Sequence, residues 1–395
     1  MTQNVRVLVI GGRFAPHLLG IVAEPPDVVE FIVSQDNPGQ GKLAKEALQP
    51  FVNLQISDDP LFINAYDLQQ GREACREIAA RHPKAVITFD VTSAPKIPSF
   101  AALDVARELS QRLIFVDSSN GKIRNVVPEN QATTLEIRVD LEQYLRCYGR
   151  RAEETFAPHA LSISYEKACE AADYLGKGDA IVVETLANLR SWSQGKDKRT
   201  IPFQKTKPVT PPSYAVLQRL AELGLIKALQ QDAEGRISYQ LTCDHDYKFL
   251  DGKWLEFFVY LQVKACSDHA GAPLFNDVRM SVEIPSNGAR KEIDVACMFH
   301  GQLILCSCKT AHPFRTEYLD ELRAVSDLVG GDFTTRLFVT NILPTTESDV
   351  EKYGNYDKFL QQAHDRKIIV VAGDRLGDIG AILKQAATNP KYARI

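Results

Sequence analysis

Four polar side chains near the C-terminus are spaced so that they can act together: Glu292, Asp294, Ser307 and Lys309. They lie in two alternating apolar runs, 291–299 and 302–309, which are separated by His300-Gly301. This pattern predicts a β-hairpin with a two-residue loop. In that register Asp294 is opposite Ser307 and Glu292 is opposite Lys309. Because residues two apart share a face of a strand, all four side chains are predicted to point the same way.

Carboxylates beside a lysine can hold a hard divalent cation and stabilise the charge of a phosphate. A further carboxylate, Glu256, interrupts the apolar segment 254–261, which is typical of a buried helix. A buried carboxylate needs a metal, a hydrogen bond or a cation, and Glu256 can reach the same face. The candidate metal ligands are therefore Asp294, Glu256 and the backbone carbonyl of Cys308. The alternative is a solvated ladder of opposite charges, Glu292 with Lys309.

A second candidate site follows two short apolar runs in the first part of the chain. Gly11-Gly12-Arg13 follows the run 5–10. Residues 90–96 lie between the run 85–89 and a predicted helix. A loop at a helix N-terminus presents backbone N–H groups to an anion, and Thr92 and Lys96 can add a hydroxyl and a charge. The alternative is an ordinary loop whose prolines start the helix.

The composition indicates a globular protein of two or three domains, with 395 residues, 45% hydrophobic and 24% charged. The net charge of −4 gives no global positive field for nucleic acid, but it does not exclude a local basic cleft. The eight cysteines form no CxxC pair, and the sequence has neither a leader pattern nor a run of about 20 apolar residues. We therefore expect a cytoplasmic protein.

Short apolar runs alternate with helical segments over the first 150 residues, which predicts an α/β domain with a Rossmann-like, doubly wound parallel sheet. Strands are predicted at 5–10, 28–33, 52–56, 85–89 and 113–116, and helices near 41–50, 67–81 and 99–111. Residues 117–122 are predicted to turn into an antiparallel strand at 123–127.

The rest of the chain has two parts. Within residues 151–250, Ser191–Pro212 is predicted to be a loop, and a helix at 214–224 followed by two strands has winged-helix character. Residues 251–395 predict a compact α/β domain, with helices at 254–261 and 317–329 and strands at 278–284, 292–299, 302–309 and 336–340.

The last part resembles the PD-(D/E)xK nuclease superfamily, whose pattern is a helix Glu, a strand Asp and then Glu-x-Lys on the next strand. Glu256, Asp294 and Lys309 match this pattern, and Ser307 stands where the second acid is expected. Glu292 is the candidate replacement because it is predicted to lie on the same face. The resemblance implies catalytic roles for these five residues.

The first part resembles CRISPR-associated Rossmann fold (CARF) domains and their Asp-x-Thr-Gly-Gly-Thr-Lys loop. Asp90, Thr92 and Lys96 match, whereas Ser93, Ala94 and Pro95 replace Gly-Gly-Thr. The segment 11–19 resembles the ligand loop and the Pro-Asn-Leu-Leu-like segment that follow the first strand in that family. The domain order (CARF at 1–150, a linker at 151–250, a nuclease at 251–395) resembles the cyclic-oligoadenylate-activated CARF nucleases of type III CRISPR defence.

This resemblance implies a homodimer that binds cyclic tetra-adenylate through Gly11, Gly12 and Arg13 and through Asp90, Thr92, Ser93, Ala94 and Lys96. It also implies cleavage of DNA or RNA with Mn²⁺ or Mg²⁺. Two other interpretations stay open. Ser307 is compatible with a ligand-sensing regulator whose nuclease domain is degenerate. A nicotinamide-dependent dehydrogenase is disfavoured because no GxGxxG follows the first strand.

Overall fold

A computed structural model describes residues 2–388, apart from 52, 119, 130, 136, 157, 178–179, 194–202, 205–207, 287–288, 312, 332–333 and 344–354. The chain divides into two compact units. Unit 1 comprises Met1–Ala152, Met298–Leu303 and Leu328–Phe333. Unit 2 comprises Glu153–Cys297, Ile304–Asp327 and Thr334–Ile395.

Unit 1 is built on a sheet whose strands run in the order β3-β2-β1-β5-β6-β7-β8, with β4 also paired to β2. These are β1 (Asn4–Ile10), β2 (Val28–Ser34), β3 (Gln55–Ile56), β4 (Leu61–Ile63), β5 (Val86–Asp90), β6 (Arg112–Asp117), β7 (Lys122–Val127) and β8 (Gln131–Thr134). The strands β1 to β6 pair in parallel, and β7 and β8 add antiparallel pairs at one edge. The predicted Rossmann-like parallel sheet is therefore confirmed.

The helices of unit 1 are α1 (Ala15–Ala23), α2 (Gly39–Leu48), α3 (Leu68–Arg81), α4 (Lys96–Glu108) and α5 (Leu141–Arg146). The central strands are mostly apolar, as expected where helices cover both faces of a sheet, and Val7, Phe31 and Phe89 are fully buried. Arg6 and Glu30 are buried charged exceptions in β1 and β2. Helix α1 begins at Ala15, with a proline in its first turn. The predicted ligand residues Gly11, Gly12 and Arg13 thus lie in the loop between β1 and α1.

Unit 2 begins with helices and a small antiparallel sheet. The elements are β9 (Glu153–Glu154), α6 (Tyr165–Gly176), α7 (Ala180–Ser193), β10 (Phe203–Gln204), α8 (Pro211–Leu223), β11 (Lys227–Gln231) and β12 (Ile237–Gln240). Gly224 ends α8 with a φ of +93°, and β10, β12 and β11 pair in that order. A helix followed by two paired strands is therefore present where it was predicted, and the winged-helix character of this part stays a prediction. The loop predicted at 191–212 is wrong at both ends, because α7 reaches Ser193 and α8 begins at Pro211, and β10 lies within that range. Residues 194–202 and 205–207 lie outside the described residues.

The remainder of unit 2 is an α/β domain on a sheet of order β17-β16-β15-β14-β13-β9. Its elements are α9 (Asp244–Lys248), a π-helical turn (Phe249–Lys253), α10 (Trp254–Ala265), β13 (Asp277–Ser286), β14 (Ala289–Phe299), β15 (Gln302–Lys309), α11 (Thr316–Val329), β16 (Thr335–Thr340), α12 (Tyr356–Asp365), β17 (Ile368–Val371) and α13 (Ile379–Thr388). Trp254, Val295 and Phe338 are fully buried in it.

The predicted hairpin is present: His300-Gly301 joins β14 to β15, with φ values of +45° and +79°. Positive φ at both loop positions is typical of the tight turns that match the twist of paired strands. None of the helices in the described ranges is long and apolar enough to cross a membrane.

Candidate functional site

Three carboxylates come together in unit 2. Glu256 on α10 and Glu292 and Asp294 on β14 each have an oxygen within 4.8 Å of the others. Glu256 and Asp294 are buried, at 7% and 8% exposure, whereas Glu292 is exposed. Like charges held this close in a low-dielectric position are unfavourable unless a cation joins them. The oxygen donors of this cluster fit a hard divalent ion.

Glu256 is the polar exception in a helix that is buried on nearly all sides. Its Oε2 accepts hydrogen bonds from Lys253 Nζ at 2.9 Å and from Ser281 Oγ at 2.8 Å. Burial and the nearby charge of Asp294 raise the pKa of Glu256 to about 8, against the lowering effect of Lys253. Near neutral pH the buried pair Glu256 and Asp294 therefore retains a proton.

The hairpin brings Asp294, Ser307 and Lys309 together. Asp294 Oδ2 accepts the Cys308 amide at 2.6 Å and the Ser307 hydroxyl at 3.3 Å, and Lys309 Nζ lies 3.9 Å away. Burial raises the pKa of Asp294, although Lys309 and the Cys308 amide oppose the shift. The contact of Cys308 with this site is thus through its N–H; metal ligation by its carbonyl stays a prediction.

Lys253 belongs to the same cluster. Its Nζ lies 2.5 Å from Glu292 Oε1 and 3.1 Å from Ser281 Oγ, besides its bond to Glu256. Although burial lowers the pKa of Lys253, Glu256 and Glu292 raise it above its usual value. Glu292 therefore pairs with Lys253, not with Lys309, which the predicted register of the hairpin placed opposite it. The signal in the sequence was the i, i+3 spacing of Lys253 and Glu256.

Lys309 lies on the other side of the cluster, beside a cavity of about 190 Å³ that Asp294, Ser307 and Glu321 also line. Its Nζ is 5.3 Å from the centre of the Tyr318 ring. Although burial lowers the pKa of Lys309, Asp294 raises it above its ordinary value. A cationic group next to open space and a buried acid is suited to contact a phosphate.

Replacing Lys253 with methionine is expected to tighten Mn²⁺ binding by at least about tenfold. A metal at Glu256 and Glu292 must displace charge-assisted hydrogen bonds worth about 1.5–3 kcal/mol each, and about 1.4 kcal/mol is a factor of ten. The substitution also favours protonation of Glu256. A proton and a divalent ion then compete for the same carboxylates. The attraction of the carboxylates for the divalent ion is twice that for the proton at the same position, so the net effect is tighter Mn²⁺ binding. Isothermal titration calorimetry measures it.

The control for this substitution is Lys264→Met, because Lys264 lies on α10, the helix that carries Glu256, and bonds to Tyr260 instead. Its affinity for Mn²⁺ should match that of the wild type. Unchanged or weaker binding in Lys253→Met would show that the ammonium does not compete with the ion.

The two predicted ligand loops of unit 1 pack against each other. The amide of Gly11 donates to the carbonyl of Ser93 at 3.3 Å. A Cβ at Gly11 would lie 2.3 Å from Pro95 Cδ, and one at Gly12 would lie 3.8 Å from Ser93 Cβ. The approach of the loops thus requires glycine at position 11. Lys96 is exposed at the first residue of α4, and Ala94 is half-buried.

Asp90 and Thr92 form buried and half-buried contacts beneath these loops. Asp90 is fully buried, 3.0 Å from His17 Nδ1 and 3.8 Å from Arg6. Burial alone would raise the pKa of Asp90, but His17 and Arg6 bring it below the ordinary value. The Thr92 hydroxyl donates to Asp90 and accepts the Val116 amide at 2.9 Å. The Thr92 hydroxyl and Asp90 Oδ1 are therefore engaged in hydrogen bonds within the protein, whereas Asp90 Oδ2 faces Arg6 at an ion-pair distance.

Arg13 also has a partner within unit 1. Its guanidinium donates to the backbone carbonyl of Gly330. A Cβ at Gly331, where φ is +59°, would lie 2.6 Å from Arg13. A role of Arg13 in ligand binding stays a prediction, and it would have to share this side chain with Gly330.

Residues 243–389 match the family of Card1-like endonuclease domains. The predicted nuclease domain is therefore confirmed. None of the curated proteins matches the chain.

Solved structures with the same fold cover nearly the whole chain. Can2 from Sulfobacillus thermosulfidooxidans, in complex with cyclic tetra-adenylate, aligns with a TM-score of 0.75 and 21% identity over 97% of this chain and 98% of that one. VC1899 from Vibrio cholerae aligns with a TM-score of 0.78 and 18% identity, over 99% of this chain and 98% of that one. A type III CRISPR defence DNA nuclease activated by cyclic oligoadenylate aligns with a TM-score of 0.52 and 16% identity. The alignment covers 93% of this chain and 52% of that one. These similarities confirm the predicted α/β fold.

Proposed function

We propose that this chain, whose residues 243–389 match the Card1-like endonuclease domain, is a metal-dependent nuclease activated by cyclic tetra-adenylate in type III CRISPR defence. The observation that carries the proposal is the carboxylate cluster of Glu256, Glu292 and Asp294, with Lys309 at its edge. Buried acids next to a cation and a cavity are the groups that phosphodiester cleavage requires.

The cluster suggests a division of roles. Asp294 and Glu256 would hold Mn²⁺ or Mg²⁺, which supplies a Lewis acid for activating water and stabilising the leaving oxygen. Lys309 would neutralise charge on the scissile phosphate from the cavity side. Ser307, which donates to Asp294, would orient that carboxylate. Glu292 would join the ligands once its bond to Lys253 is broken.

Activation is proposed to begin at the paired loops of unit 1. The fold shared with Can2, whose structure contains cyclic tetra-adenylate, supports binding of this ring at Gly11–Arg13 and 92–96. Backbone N–H groups at the start of α4 and the exposed Lys96 suit its phosphates. A ring with two-fold symmetry suits a homodimer in which each subunit contributes one pair of loops. Ligand binding would then favour a cleavage-competent state.

A second candidate is a cyclic-oligoadenylate sensor with a non-cleaving nuclease domain. Two observations favour it. Ser307 provides a hydroxyl where a second acid would ligate the ion. Lys253 already supplies a positive charge to Glu256 and Glu292.

The experiment that separates the two candidates is cleavage of single-stranded DNA, single-stranded RNA and supercoiled plasmid with Mn²⁺, with and without cyclic tetra-adenylate. Ring binding is measured separately by calorimetry, and EDTA serves as the control for metal. We expect cleavage only when both the ion and the ring are present. Ring binding without cleavage of any substrate would instead establish the sensor.

A further inference from the structure

The cavity of about 190 Å³ in unit 2 has two walls that come from different elements. One wall belongs to the hairpin of β14 and β15, which carries Asp294 and Ser307. The other wall belongs to helix α11, which contributes Glu321, Leu322 and Val325. Leu322 and Val325 are buried and apolar, whereas Glu321 is exposed. Of the three residues from α11, only Glu321 can carry a charge into the cavity.

The helical period explains why Glu321 lies on this wall. Residues three and four positions apart are neighbours on one side of a helix. Tyr318, three positions before Glu321, has its ring centre 5.3 Å from Lys309 Nζ, and Val325, four positions after Glu321, lines the cavity. Glu321 is therefore on the side of α11 that faces strand β15.

The carboxylate of Glu321 is close enough to Lys309 to act on its charge. Although burial lowers the pKa of Lys309, Asp294 and, to a smaller extent, Glu321 raise it above its ordinary value. Lys309 thus has an acid of the hairpin on one side and an acid of the helix on the other. Within the described part of the chain, the Glu321 carboxylate forms no hydrogen bond or close ion pair, so its oxygens can accept a ligand in the cavity.

Ser307 leaves the proposed metal site one carboxylate short on the cavity side. Its hydroxyl carries no negative charge and its side chain is two bonds shorter than that of glutamate, so it leaves space beside Asp294. Glu292, the other acid of the hairpin, is already paired with Lys253. An acid that enters from α11 would supply the charge that strand β15 lacks.

We propose that Glu321 takes the place of the second acid of the nuclease site and binds the divalent ion together with Asp294. This inference rests on the proposed function, because it takes the ion of that site as the ligand of Glu321. One ligand is thereby moved from strand β15 to the helix that follows it. Hard divalent cations select oxygen ligands and their geometry, and the element of the fold that carries each carboxylate is secondary.

The test is calorimetric titration of the full-length protein with Mn²⁺, with and without cyclic tetra-adenylate. Glu321→Gln keeps the size of the side chain and removes its charge. It is expected to weaken Mn²⁺ binding by at least about tenfold, because even the outer partners of metal ligands are typically worth about 10–100-fold in affinity. The matched control is Asp327→Asn, six positions later on α11 and thus on another side of the helix, which should bind Mn²⁺ like the wild type.

A second variant distinguishes a metal ligand from a residue that only shapes the wall. Adding Ser307→Glu to Glu321→Gln returns a carboxylate to the strand position where the PD-(D/E)xK pattern has its second acid. This double variant is expected to recover most of the lost Mn²⁺ affinity. A charge on the opposite wall of the cavity would not compensate for a purely structural defect in α11.

Two outcomes decide against this inference alone: wild-type Mn²⁺ affinity in Glu321→Gln, and a lost affinity that Ser307→Glu does not recover. A wild-type protein that binds no Mn²⁺ in either condition overturns the metal of the proposed function and this inference with it. Mn²⁺ binding that depends on Glu321 in a protein that cleaves no nucleic acid supports this inference and overturns the nuclease activity alone.

Discussion

Asp294→Asn is expected to reduce activator-dependent cleavage of nucleic acid by more than about 100-fold. Removing even an outer partner of a metal ligand typically costs about 10–100-fold, and Asp294 is proposed to hold the ion directly. Asparagine keeps an oxygen that can accept the Cys308 amide at the same place, so the hairpin should remain intact. The measurement is the initial rate of cleavage with saturating Mn²⁺ and ring, and circular dichroism checks the fold.

The matched control is Asp327→Asn, which changes an exposed acid on helix α11 in the same unit. Its cleavage rate should equal that of the wild type. Retained cleavage in Asp294→Asn would remove this carboxylate from the active site and leave the three-acid cluster without a catalytic role.

Asp90→Ala is expected to destabilise unit 1 by about 3–5 kcal/mol, the cost of breaking a buried ion pair from one side. The substitution leaves Arg6 and His17 buried without their shared carboxylate and removes the acceptor of the Thr92 amide. Hydrogen exchange with mass spectrometry localises the effect. Amides of strands β1 and β5 should exchange at least about 100-fold faster if they open with the unit.

The comparison variant is Asp104→Ala, which removes an acid that pairs with Arg72 on the surface of the same unit. Exposed ion pairs contribute less than about 1 kcal/mol, so its exchange should stay close to that of the wild type. Equal exchange in the two variants would mean that the buried cluster does not stabilise the fold.

The nuclease hairpin was predictable because its signals are local. Alternating apolar residues fix which side chains share a face, and His300-Gly301 fixes the turn, so the proximity of Asp294 and Ser307 follows from the sequence. Glu256 stood out because a carboxylate is rare in an apolar helix. The parallel pairing of the central strands in unit 1 followed from the alternation of strands and helices.

Lys253 and His17 were missed for a different reason. Each gains its importance from partners that approach from distant parts of the chain. Glu292, 39 residues away, reaches Lys253, and Ser93, 76 residues away, reaches His17. Periodicity describes the face on which a residue lies, but not the element that packs there. The short edge strands β4 and β8 were missed because three or four residues carry too little pattern.

The shared proton of the buried acids has a consequence for electrostatic steering. With three carboxylates, one proton on the pair Glu256 and Asp294, and two ammonium groups on Lys253 and Lys309, the site has no net charge. It therefore exerts little pull on a passing polyanion. A divalent ion that replaces the proton makes the same five side chains a centre of net charge +1. The ion would thus also convert a site without net charge into a positively charged one that attracts a phosphodiester.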